Sequence, residues 1–306
     1  MGSFVGGTPY RVFFGDSRRM DDVDDRSVHL MVTSPPYPMI EMWDQQFRNI
    51  DEKIDQLWTK MNREGSCDKQ EETLGGIYNL MHESLAQVWS ETYRVLVDGG
   101  IACVNIGDAT RNINGIFRLF PNHAKVVEHC EKIGFVSLPY ILWRKPTTKP
   151  KYKGKGAFLG SGMLPPNAYV TLDCEFILIF RKGGPRRFTP KDPARYESRY
   201  TKQERDKWFT QIWDVIGTKQ FLSEVERRAA AFPEEIPRRL MRMFSVVGDT
   251  VLDPFLGTGT TLKVAMELGR NMIGYEIDKE FKRIVERETH ATKAKSLGAK
   301  VELVNR

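Results

Sequence analysis

The chain has 306 residues, 41% of them hydrophobic, and a formal net charge of +6. That is enough apolar material for one large α/β domain with a small insert, and the positive balance favours a polyanionic partner. No stretch approaches the ~20 apolar residues of a membrane span and the first residues lack a signal-type apolar segment, so the expectation is a cytoplasmic protein without membrane contact.

In chain order, Arg11–Phe14 reads as a short strand ending at Gly15-Asp16. Val28–Thr33 is an unbroken apolar run, the mark of a buried parallel strand, and stops at Ser34-Pro35-Pro36-Tyr37. Asp44–Gly75 is polar and partly helical, an insert after that strand. Tyr78, Met81, Leu85, Val88, Trp89 and Leu96 recur at helical spacing, with Asp98-Gly99-Gly100 as the expected stop. Ile101–Ile106, Phe135–Trp143 and Cys174–Phe180 are further strands. Gly183–Ala229 is polar, basic and aromatic. Pro233 opens a helix carrying Glu234 and Glu235 in its first turn, where carboxylates favour the helix dipole. Thr250–Leu252 and Met272–Tyr275 are strands flanking a glycine-rich turn and a helix from about Thr260 to Leu268. Lys300–Val304 also reads as a strand, which leaves it and Arg11–Phe14 as two candidates for one place in the sheet. Alternating strands and helices predict a doubly wound, mostly parallel sheet.

The four cysteines stand singly, with no Cys-x-x-Cys pair, and the five histidines form no metal-like cluster. No metal site and no disulfide framework are therefore expected. Two basic stretches stand out. Trp143–Gly156 holds six basic residues and no acid, and Arg181–Lys207 holds ten basic residues against four acids. Each alone is equally well a solvated face.

Two segments carry chemistry. In Asp253-Pro254-Phe255-Leu256-Gly257-Thr258-Gly259-Thr260-Thr261, glycines between a strand and a helix let backbone approach a ligand closely, and the helix start offers free N–H groups. Glu276 closes the following strand, where a carboxylate accepts two ribose hydroxyls. The pattern points to an adenosine-type cofactor; the bland alternative is a structural turn with a surface glutamate. Thr33-Ser34-Pro35-Pro36-Tyr37 ends a strand, where open α/β sheets bind ligands. Its prolines remove two N–H donors and leave carbonyls free, which suits holding an amine. An exocyclic base amine is a poor nucleophile, because its lone pair is delocalised into the ring. Accepting its hydrogens on the Ser34 hydroxyl and the Pro35 carbonyl favours a pyramidal nitrogen, and Tyr37 offers a face for a flipped base. A rigid proline turn is the plain alternative.

These segments resemble the catalytic and S-adenosylmethionine-binding motifs of DNA amino-methyltransferases. Their order, catalytic motif first, is similar to the circularly permuted beta group, and Ser-Pro-Pro-Tyr is similar to its N4-cytosine type. Trp89–Gly100, Glu175–Lys182 and Phe232–Arg239 resemble further stretches of that group. No cysteine follows a proline, so the nucleophile of cytosine-C5 methyltransferases is missing. The resemblance implies a seven-stranded-type, Rossmann-like methyltransferase sheet. Its catalytic half is 1–182, a small target-recognition region is 183–229, and the cofactor half is 230–306. It implies Ser34, Pro35, Pro36 and Tyr37 as catalytic. Asp253, Pro254, Phe255, Gly257, Thr258, Gly259, Thr260 and Thr261 become the methionine and ribose cradle, with Glu276 on the ribose and Ile277 against the adenine ring. Asp16 occupies the place of a contact to the adenine amine; an Asx-turn cap on a following helix is its structural alternative.

The implied reaction moves a methyl group from S-adenosylmethionine to N4 of a flipped cytosine in duplex DNA. Adenine N6 and a non-catalytic DNA-binding sensor of the cofactor are the alternatives. Partners are double-stranded DNA and, functionally, a cognate restriction endonuclease. Lys149, Lys151, Lys153, Arg195, Arg199, Lys202 and Lys207 are the candidate DNA contacts, arginines for guanine edges and lysines for phosphates. Trp143, Trp208 and Trp213 are expected to be core anchors.

Overall fold

The computed structural model describes residues 9–63, 66–113, 116–145, 170, 172–216, 231–291 and 300–306. Lys149, Lys151 and Lys153, and the last part of 183–229, lie outside the described residues. The apolar runs form a nine-stranded sheet. Its spatial order is β11 (Val301–Asn305), β1 (Tyr10–Phe14), β10 (Asn271–Glu276), β9 (Thr250–Asp253), β2 (Val28–Thr33), β3 (Leu96–Ile106), β7 (Cys174–Lys182), β6 (Phe135–Arg144) and β8 (Ile212–Asp214). Every pairing is parallel except the two made by β7, which runs against its neighbours β3 and β6. Both candidates for that one place in the sheet belong to it: β1 pairs with β10, and β11 adds to the outer edge of β1.

Period-two alternation divides the strand side chains between two cores. Phe13, Met31, Val104, Leu178 and Phe180 face one side. There they meet α3 (Cys67–Val95) and α4 (Asn122–Ile133) through Met81, Leu85, Trp89 and Val126. Val12, Phe14, Leu30, Val32, Ile177 and Ile179 face the other, against α7 (Glu235–Phe244), α8 (Thr260–Glu267) and α9 (Lys282–Ala291). Trp143, Trp208 and Trp213 are buried in that second core, as expected of anchors.

Two expectations need correction. Gly75 does not end the insert: α3 runs through Gly75 and Gly76 for 29 residues. Leu74, Ile77, Tyr78 and Met81 continue one buried face across the pair, and this packing outweighs the ~1 kcal/mol that each mid-helix glycine costs. Nor is Asp98-Gly99-Gly100 the helix stop. The helix ends at Val95, Leu96 is already extended and pairs with Val28, and the next partners are Leu30 and Ile101. The glycines form an irregularity inside β3. Gly99 has φ +79°, and a Cβ there would lie 2.5 Å from the Arg186 backbone nitrogen, so only glycine fits.

The insert itself supplies α1 (Asp44–Ile50), α2 (Glu52–Met61) and the start of α3. The hairpin β4 (Ala109–Ile113) and β5 (Ile116–Phe120) and the short β8 were not foreseen. The 183–229 segment contains α5 (Pro193–Glu197) and α6 (Lys202–Trp208). Among the described residues, no helix is long and apolar enough to cross a membrane.

Candidate active site

Both motifs stand at the ends of adjacent strands. β2 and β9 pair directly, so Thr33 and Asp253 finish side by side, and the Thr33 hydroxyl donates to Asp253 Oδ1 at 2.6 Å. Asp253 also accepts from the Phe255 backbone N–H at 3.1 Å, which folds the chain into the glycine turn. Burial pushes its carboxyl up to about 6, against the lowering effect of these hydrogen bonds. Gly257 and Gly259 have φ of +56° and +88°, and Gly259 caps the start of α8.

On the next strand, the Glu276 side chain is buried and its two oxygens accept from Gly257 N–H and Asp278 N–H, each at 2.8 Å. A carboxylate has about four acceptor positions, and the hydrogen bonds among the described residues take two of them, one on each oxygen. Burial, with Asp278 and Asp253 nearby, raises Glu276 to about 7.

A cavity of about 480 Å³ lies over these strand ends, within the usual range for a small-molecule site. Asp16, Ser34, Pro36, Pro254, Phe255, Gly257, Glu276 and Ile277 line it. A smaller recess beside it is lined by Ser34, Asp253, Phe255, Gly257, Thr258, Thr260 and Thr261. Ser34 lies on both, so the proline motif and the glycine turn share one site. Pro35, Tyr37 and Gly259 line neither; Gly259 lies under Val285. Asp16 does make an Asx turn, accepting from Arg18 N–H at 2.9 Å, and holds the Arg18 guanidinium with its other oxygen. The segment after it is a turn rather than a helix, so it caps none.

The far wall of the cavity comes from the insert: Trp43, Gln46, Phe47, Asn49 and Ile50 line it on and beside α1. Sequence reasoning left this segment without a role. It also missed the groups that hold the proline motif. Asn105 at the end of β3 and Glu175 at the start of the antiparallel β7 both reach Tyr37 Oη, at 2.8 and 2.9 Å. Burial, with the Glu175 charge beside it, pushes the Tyr37 phenol well above its ordinary range. Below the loop, Asn122 Nδ2 donates to the carbonyls of Pro38 and Gly107, both at 3.0 Å. Its oxygen therefore faces His82 Nε2 at 3.0 Å, which makes that nitrogen the protonated one. Burial drives His82 down to about 3, so it is neutral. A lone polar residue one place before the end of an apolar strand, as Asn105 is, was the available signal.

The described DNA-contact candidates of 183–229 lie elsewhere. Arg186 forms a two-bonded ion pair with Asp249, the residue before β9, and Ser198 Oγ accepts from Val247 N–H at 2.8 Å. Arg242, near the end of α7, bonds the Arg199 carbonyl and Glu204. These ties fasten the segment carrying Arg195, Arg199 and Lys202 near the strand starts, the opposite end of the sheet from Ser34. Lys207 lies further on, in the last turn of α6.

The pattern of the DNA methylase family matches residues 28–287, which includes the proline motif, the glycine turn and Glu276. M.MjaI, a Type II methyltransferase of Methanocaldococcus jannaschii, is 63% identical over 98% of this chain and 97% of its own length. TTHA0409 of Thermus thermophilus, solved in complex with S-adenosyl-L-methionine, has a TM-score of 0.71 at 31% identity, covering 97% of this chain and 98% of that one. The PvuII DNA methyltransferase, cytosine-N4-specific, shares the fold with a TM-score of 0.60 at 16% identity over 98% of each chain. A family pattern that matches residues 28–287, with a Type II methyltransferase 63% identical over 98% of the chain, leaves a single conclusion: this chain belongs to the DNA methylase family.

Proposed function

We propose that the protein transfers the methyl group of S-adenosylmethionine to the exocyclic N4 of a cytosine flipped out of duplex DNA. The observation that carries this is the presence of Ser34 and Glu276 on one cavity. Glu276 holds the ribose diol on its open acceptor positions, Phe255 and Ile277 offer apolar faces, and Asp16 stands within the same cavity for the adenine amine. S-adenosylmethionine supplies a methyl group already activated on a sulfonium. The protein then has to orient the amine and exclude water. Ser34 Oγ accepts an amine hydrogen and turns the nitrogen lone pair toward the cavity; the Pro35 carbonyl, the second acceptor that the resemblance implies, does not line that cavity. Fixed acceptors of this kind act where charge develops, and need no reorganisation during the transfer. The ammonium formed is acidic enough to lose its proton to water.

A serine at the first motif position supports cytosine over adenine. The likeness of M.MjaI to this chain supports a place beside a restriction endonuclease of the same specificity. The deciding test uses duplex DNA from a methylation-deficient host, incubated with enzyme and cofactor, digested to nucleosides and weighed. N4-methylcytosine is expected; N6-methyladenine would overturn the base assignment, and unmodified DNA the reaction.

A further inference from the structure

The side chains behind Ser34 form a hydrogen-bond chain whose direction follows from its donors. Glu175 is a carboxylate and only accepts. Its Oε2 lies 2.9 Å from Tyr37 Oη and 2.8 Å from Asn105 Nδ2, and the Lys145 ammonium bonds its Oε1. Tyr37 therefore directs its single hydrogen at Glu175. Asn105 has two amide hydrogens, and its two near acceptors are Tyr37 Oη and Glu175 Oε2, both at 2.8 Å; Ser34 Oγ is further away at 3.4 Å. Turning the amide over would set its oxygen against the carboxylate, so this orientation is fixed. Ser34 Oγ lies 3.1 Å from Tyr37 Oη, whose own hydrogen is committed to Glu175. The Ser34 hydrogen points to Tyr37, and the Ser34 oxygen, met only at 3.4 Å by Asn105 Nδ2, is left to accept.

We propose that Glu175, acting through Tyr37 and assisted by Asn105, is a positioning residue that holds the Ser34 hydroxyl as a pure acceptor for the substrate amine. Without that direction the hydroxyl is free to rotate, and in part of its orientations it presents a hydrogen to the amine instead of a lone pair. The antiparallel run of β7 is what makes the arrangement possible. It brings the start of a strand to the edge where the parallel strands end, and so places a carboxylate behind a motif 138 positions away in sequence. The proposal rests on Ser34 as the amine acceptor, and the test separates the two ideas.

Single-turnover methyl transfer is measured with labelled S-adenosylmethionine and duplex DNA from a methylation-deficient host, alongside cofactor affinity, DNA affinity and thermal midpoint. Tyr37→Phe keeps the ring but removes the relay hydroxyl; Glu175→Gln removes the acceptor-only end. Each should slow transfer about tenfold or more, with both affinities within about threefold of wild type. The double variant should be little slower than the slower single, because both act on one chain, and Glu175→Asp should recover part of the rate. If Ser34→Ala is slow while Tyr37→Phe and Glu175→Gln run at the wild-type rate, the relay is wrong and the acceptor role of Ser34 stands. If Ser34→Ala itself transfers at the wild-type rate, the acceptor role falls and the relay with it. Losses matched by equal losses of affinity or thermal midpoint would make the network merely structural and also reject the proposal.

Discussion

Glu276 shows how one side chain links folding, cofactor and pH. Its ordinary value of 4.5 is raised to about 7 in the folded protein, with burial the largest cause. Between those two values the folded state binds more protons than the unfolded one. This group therefore makes the cofactor-free protein lose stability as pH rises through that window, with no further change above about 7. With Glu276 as the proposed ribose acceptor, cofactor binding should have the opposite dependence, since a diol needs the ionised carboxylate. Affinity for S-adenosylmethionine should fall by up to about tenfold per pH unit below 7 and level off above it, with proton release on binding. Calorimetry across pH 6–8 in buffers of different ionisation heat reads both; Glu276→Gln should bind weakly and without the pH dependence. A pH-independent wild type would refute the assignment. Thr33 makes a second residue-scale case. Replacing it by valine leaves buried Asp253 without a 2.6 Å hydrogen bond. Urea unfolding should then show a loss of ~1.5–3 kcal/mol, which Thr33→Ser restores. The motif residues were legible because their signal is contiguous. Asn105, Glu175, Asn122 and His82 were not, because each acts on a neighbour that only the sheet brings near.

At the scale of elements, the sequence was read well where a segment's period matched its burial. β2 was placed at its true ends, and the α8 region within a residue or so. It was read poorly where neighbours overrode a local signal, as at Gly75 and Asp98-Gly99-Gly100. The insert is the instructive case, since its polarity gave no hint that it walls the cavity. Its attachment depends on Arg111 of β4, which pairs with Asp44 of α1, donates to the Met39 carbonyl at 2.8 Å and lies over the Trp58 ring of α2. Met39 is buried with φ +64°, a conformation few non-glycine residues adopt, so that carbonyl contact holds a strained turn just after the proline motif. Arg111→Ala removes all three contacts and leaves Asp44 largely enclosed without its cation. The expected cost is about 3 kcal/mol in urea unfolding, with weaker cofactor binding because α1 is the cavity wall. Full stability with unchanged cofactor affinity would show that the insert is held in some other way.

For the whole molecule, the question is which end of the sheet meets DNA. Composition and position nominated Gly183–Ala229, because basic charge and aromatics were visible in sequence while their place relative to Ser34 was not. Many of those basic and aromatic groups serve the fold. Arg186 neutralises Asp249, Arg195 lies over the Phe188 ring, and Trp208 and Trp213 fill the second core. At the Ser34 end stands Arg144, the last residue of β6, paired through two hydrogen bonds with Asp214 but with its side chain 50% exposed, and next in sequence to Lys145. On the proposed reading, a duplex whose base reaches Ser34 approaches from that end of the sheet. Arg144→Glu should therefore weaken binding to all duplex DNA alike and lower the slope of log affinity against log salt by about one to two. Arg195→Ala and Arg199→Ala, at the far end, should leave affinity within about twofold and the methylated sequence unchanged. Filter binding across a salt series, with sequencing of the methylated product, decides between the two ends. Loss of one base preference in Arg195→Ala or Arg199→Ala, with Arg144→Glu unaffected, would return recognition to the 183–229 region.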